Sequence, residues 1–145
     1  MEKKTKIAQQ AKVKTVHVAG KRKTSVARAT VRPGTGIARI NSRILDFYEP
    51  EIARMRIQEP LMLAGNFSKE VDIDVVATGG GWSSQAEAAR LAIARALLKY
   101  TGSKELKEIF LDYDRHLLVA DTRFKEPRKF GTHSRARAKR QKSYR

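Results

Sequence analysis

Alternation of apolar and polar residues with a period of two marks two stretches of the chain as half-buried strands. In KTSVARATVR (residues 23–32), Ala27, Ala29 and Val31 fall on one face and Arg28, Thr30 and Arg32 on the other, as in a strand with one side in a core and the other in solvent. In EVDIDVVA (70–77), Val71, Ile73, Val75 and Ala77 oppose Glu70, Asp72 and Asp74. Those acids read as solvated groups or arginine partners, because alternation alone explains them. The β-branched run VKTVHVA (13–19) predicts a third strand. RPGTG (32–36) supplies a proline and two glycines for a turn, and IARI (37–40) then predicts a short strand returning in a hairpin.

Helical spacing appears further along. Pro50 and Pro60 divide 41–65 into short pieces, with a helix over 51–58 begun by Pro50 in its first turn. In GGGWSSQAEAARLAIARALLKY (79–100), Ser84 and Glu87 have the spacing of a capping box. Ala86, Ala89, Ile93, Leu97 and Tyr100 form an apolar stripe, with Glu87, Arg90 and Lys99 off it. Gly102 stops this helix, and Ser103 opens another over 103–110. Residues 113–121 read as β-like or irregular. These elements add up to an α+β sandwich: one small sheet with helices on one face.

The formal charge of +16 is unevenly placed. Residues 1–23 hold eight basic residues and one acid, residues 123–145 hold ten and one, and residues 24–122 hold thirteen of each. This predicts a basic N-terminus (1–12), a globular domain (13–122) and an extended basic tail (123–145). Residues 1–12 and 128–145 repel themselves and are expected to stay open until a polyanion neutralises them. Nucleic acid fits that role better than an anionic membrane, because the basic runs lack an anchoring apolar face. No apolar run approaches the length of a bilayer span. MEKKTKIAQQ lacks the apolar segment of a secretory signal. The chain has no cysteine, which excludes disulfides and thiolate metal sites and suits a reducing cytosol.

Two motifs invite phosphate contacts. Gly79, Gly80 and Gly81 precede a helix start, where free amides and the helix dipole favour an anion; a tight strand-to-helix turn explains them equally well. Lys21, Arg22 and Lys23 lie in GKRKTS (20–25), which lacks the glycine spacing of a nucleotide-binding loop and reads as a phosphate clamp. Arg28, on the outer strand face, is either solvated or in contact with RNA. His17, His116 and His133 match no zinc spacing, and no nucleophile or carboxylate constellation stands out. No catalytic residue, metal or cofactor is assigned. The ending RARAKRQKSYR offers cations for phosphates and Tyr144 for stacking on an unpaired base; a solubilising or import tail is the plainer alternative.

Three segments together resemble a family, the universal small-subunit ribosomal protein numbered nine: GKRKTSVARATVRPGTG, GGGWSSQAEAARLAIARAL, and YDRHLLVADTRFKEPRKFG leading into RARAKRQKSYR. The ending QKSYR resembles the archaeal and eukaryotic branch, and the short basic N-terminus its archaeal members. The resemblance implies the fold of the second domain of small-subunit ribosomal protein five, with a left-handed βαβ crossover against the usual rule. It also implies a non-enzymatic, cytoplasmic protein that binds ribosomal RNA in the head of the small subunit beside neighbouring head proteins, with no membrane role. Lys21, Arg22, Lys23, Arg28 and Gly79 to Gly81 would contact ribosomal RNA from the globule. Arg128, Lys129, Arg135, Arg137, Lys139 and Arg140 would hold the tail in it. Lys142, Ser143, Tyr144 and Arg145 would reach P-site transfer RNA. The fourteen steps from Gly131 to Arg145 span roughly 46–50 Å when extended. Thr132 to Ser134 and Lys139 depart from common family residues, which leaves the path of the tail open. An RNA-processing subunit and a general polyanion-binding architectural protein are the competing readings.

Overall fold

The computed structural model describes residues 14–130, 132, 136 and 137. In chain order the elements are β1 (Val16–Arg22), β2 (Ser25–Pro33), β3 (Ala38–Ile40), β4 (Arg43–Ile44), α1 (Glu51–Ala64), α2 (Asn66–Lys69), β5 (Val71–Thr78), α3 (Trp82–Thr101) and α4 (Lys104–Tyr113). Single 3₁₀ turns cover Leu45–Phe47 and Arg115–Leu117. The sheet order is β1-β2-β5-β3-β4, antiparallel throughout except for the parallel pair β3 and β5. The architecture is α+β, as the residue pattern predicts.

Alternation in β2 and β5 is realised residue by residue. Ala27, Ala29, Val31, Val71, Ile73, Val75 and Ala77 are all buried beneath α3, and Arg28 and Arg32 are exposed on the opposite face. α3 is buried more widely than a single stripe. Ala88, Leu91, Ala92, Ala94 and Ala96 join Ala86, Ala89, Ile93 and Leu97 in the core, because α3 packs on the sheet with one side and on α1 with another. Alanines keep both approaches close. Gly102 ends α3 in the left-handed conformation at φ 68°, and the Ser103 hydroxyl caps α4 by accepting the Leu106 N–H at 3.3 Å.

Three expectations are corrected. Residues 37–40 do not return beside β2, since β5 takes that place and β3 lies on β5's other edge. Asp72 of β5 directs the chain there: its Oδ1 accepts the N–H groups of Thr35 at 2.8 Å and Ile37 at 3.1 Å. The hairpin is instead β1 and β2, closed over Lys23 and Thr24. Pro60 does not break its helix. It sits inside α1, loses one ladder bond, and is fully buried, so packing outweighs the missing donor; Pro50 is the cap rather than the first helical residue. The Ser84–Glu87 box is also displaced. Gly81 is the cap, Ser84 reaches back to the Gly81 N–H at 3.1 Å, and Glu87 is used in ion pairs.

Candidate nucleic-acid interface

Helices cover one face of the sheet and leave the other open. On that open face, register places Ala19 beside Arg28 and Arg28 beside Val76, with His17 and Asp74 flanking Thr30. That face is mixed, with the exposed Val76 and the carboxylate of Asp74 among its cations. Arg28 is exposed, and no ion pair holds it among the described residues. Arg32 and Arg39 share Asp74, at 3.6 and 3.5 Å. Arg39 escaped the sequence reading because its neighbour β5 lies more than thirty positions away, although the alternation of IARI already sets Arg39 opposite Ile40. The acid Asp72 is occupied by the turn amides of Ile37 and Thr35, which hold its carboxyl below the usual range.

At one end of this face the β1–β2 turn meets the glycine triad. Lys23 adopts φ 52° and is exposed, as is Lys21. Gly79 and Gly80 have φ of 77° and 61°, and a Cβ on either would fall 2.7 Å from the Thr24 carbonyl or 2.2 Å from the Ser25 hydroxyl. The tight-turn reading therefore accounts for both. Gly81, by contrast, opens onto free space next to the half-exposed Trp82. Ser25 is fully buried, with its Oγ 2.8 Å from the Gly79 carbonyl and 2.7 Å from the Ser84 hydroxyl, locking turn to helix.

Arg22 differs from its two lysine neighbours. Its guanidinium turns inward, 2.5 Å from Glu87 and 3.0 Å from Asp121, with 17% of the side chain exposed. Glu87 also takes Arg56 at 2.9 Å, and Arg90 bridges Glu59 and Asp114 at 2.5 and 2.7 Å. Burial pushes the Asp114 carboxyl up, but the His116 N–H and Arg90 outweigh it and hold it low. Among the described residues every ion pair uses an arginine, and no lysine enters one. Thus the acids that converge between α1, α3 and the chain after α4, namely Glu59, Glu87, Asp114 and Asp121, are paired by arginines of the globule itself.

Arg128 and Lys129 are exposed beyond the globule. Arg137 is exposed and pairs with Glu126, whose carboxyl it holds low. Arg135, Lys139, Arg140, Lys142, Ser143, Tyr144 and Arg145 lie outside the described residues. Among the described residues no group of three His, Asp or Glu is placed to hold a metal ion, and no helix is long and apolar enough to cross a membrane.

The family model described as ribosomal protein S9/S16 matches residues 20–145. Among similar curated proteins is the small ribosomal subunit protein uS9 of Desulfurococcus amylolyticus, 52% identical over 134 residues, covering 92% of this chain and 95% of that one. The uS9 proteins of Methanococcus vannielii and Methanococcus maripaludis are 49% and 48% identical over 134 residues, each matched along 100% of its length and 92% of this chain.

Proposed function

This chain belongs to the ribosomal protein S9/S16 family, and from that premise we propose that it binds ribosomal RNA in the head of the small subunit and touches P-site transfer RNA with its C-terminal tail. It is a structural, non-enzymatic constituent of the small ribosomal subunit and works in the cytoplasm, within the ribosome. The observation that carries the RNA reading is the separation of charge. Residues 24–122 balance thirteen bases against thirteen acids, and the surplus of basic residues lies in the first and last twenty-three positions. Two basic ends flanking a charge-balanced middle segment are suited to counterion-releasing contacts with phosphates. Lys21, Lys23, Arg28, Arg128 and Lys129 supply exposed cations for ribosomal RNA. Arg135, Arg137, Lys139 and Arg140 extend that track, and Lys142 to Arg145 form its end.

The test compares small subunits carrying the full chain with subunits carrying a chain that lacks residues 142–145. Both chains should co-sediment with the subunit, and the shortened one should release P-site transfer RNA faster. Equal release rates would remove the role of the tip. Failure of the full chain to co-sediment would remove the reading altogether.

A further inference from the structure

The basic tail starts from a segment that the globule holds by polar contacts more than by burial. After Leu117, the last fully buried side chain among the described residues, residues 122–130 are all exposed. Between these limits the Arg95 Nε donates to the Leu118 carbonyl at 2.8 Å. Asp121 then turns inward with only 12% of its side chain exposed, 3.0 Å from Arg22. The same carboxylate accepts the Arg123 N–H at 2.9 Å and the Arg123 guanidinium at 2.6 Å. Behind it, Arg22 is fixed by Glu87 on α3. Lys21 adds its ammonium 5.0 Å from the Phe124 ring.

We propose that Asp121 is a positioning residue, a pin that joins the root of the tail to Arg22 and so fixes the direction in which the chain leaves the globule after Arg123. This rests on the reading of the tail as the RNA-contacting arm. A half-buried pair is suited to the task. It resists screening better than a surface pair, and breaking it strands the partner's charge. Arg123 contacts hold the Asp121 carboxyl far below its ordinary value, so the pin stays charged across physiological pH. A fixed root restricts the volume the tail searches, which raises its effective concentration at a distant target.

The chain has no cysteine, so Lys107→Cys and Lys125→Cys give a clean pair of spin-label sites on α4 and the tail root. In the free protein the distance distribution between them should be narrow, should widen at least about twofold with Asp121→Asn, and should recover in part with Asp121→Glu. Glu87→Gln loosens the same pin from behind and replaces Asp121→Asn if that variant does not fold. A width unchanged by either variant overturns the proposal. In assembled subunits, Asp121→Asn should speed P-site transfer RNA release about three- to tenfold, and this effect should vanish when residues 142–145 are also absent. An effect that persists without the tip is a general structural defect and counts against a pin acting through the tail. If removing the tip alone changes nothing, the transfer RNA reading fails, and the label distances decide the pin by themselves.

Discussion

Gly20 lies where α3 crosses β1, and it offers the sharpest test of the packing. A Cβ built on it would stand 2.3 Å from the Ala88 carbonyl oxygen, 2.8 Å from the Ala92 nitrogen and 3.1 Å from the Ala92 Cβ. The first two neighbours are helix backbone and cannot rotate away. Ordinary contact begins at 3.4 Å, so Gly20→Ala forces α3 off the sheet by about 1 Å along a close-packed seam. Gly20 carries no positive φ; alanine there meets no backbone strain and gains about 0.4–1 kcal/mol through the unfolded chain. Overpacking of this kind costs about 1–3 kcal/mol, occasionally more, and because the obstacle is backbone we place the cost at the upper end, for a net loss of about 2 kcal/mol. Urea unfolding of the free protein, followed by circular dichroism, measures it as a lower midpoint at unchanged slope. Adding Ala92→Gly removes only the most distant of the three neighbours, so a double-mutant cycle should recover little of the loss. A loss under about 0.5 kcal/mol, within the usual range for a surface change, refutes the account of this seam.

Other outcomes follow from the same contacts. Ser25→Ala deletes the hydroxyl between the Gly79 carbonyl and Ser84 and should destabilise by about 1–2 kcal/mol, read as a shift of the urea midpoint. The carboxyls of Asp72, Asp114, Asp121 and Glu126 all lie below their ordinary values in the folded chain. They contribute stability above the unfolded carboxylate range, and that contribution is lost as pH falls below about 4. The melting temperature should therefore drop in that window, and Asp72→Asn should flatten the drop. Arg28→Gln should weaken binding to small-subunit ribosomal RNA and lower the slope of log affinity against log salt by about 0.7–0.9, measured by filter binding.

Local chemistry made much of the fold legible. The period-two faces of β2 and β5, the Gly102 stop and the Ser103 cap depend on neighbours in sequence, and all three appear in the structure. The partner of residues 37–40 was hidden because Asp72, which steers them, lies on a strand more than thirty positions downstream. Pro60 misled for the opposite reason: its local cost is real, but tertiary burial outweighs it. For the interface, Lys21, Lys23 and Arg28 are exposed. Arg22, between two such lysines in sequence, faces the other way because Glu87 and Asp121 converge on it from distant elements. Gly20 read as the lead-in to a phosphate clamp, whereas its lack of a side chain serves the contact with α3.

The exclusive use of arginine in the ion pairs of the described residues has a practical consequence for chemical labelling. Amine-directed acylation reaches lysines and leaves guanidinium groups intact, so it can strip charge from Lys21, Lys23 and Lys129 while the pairs of Arg22, Arg56 and Arg90 persist. A reagent directed at guanidinium groups reaches the exposed Arg28 and Arg128 as well as the joints. Lysine acylation thus weakens adhesion while sparing the architecture, in a single unmutated protein.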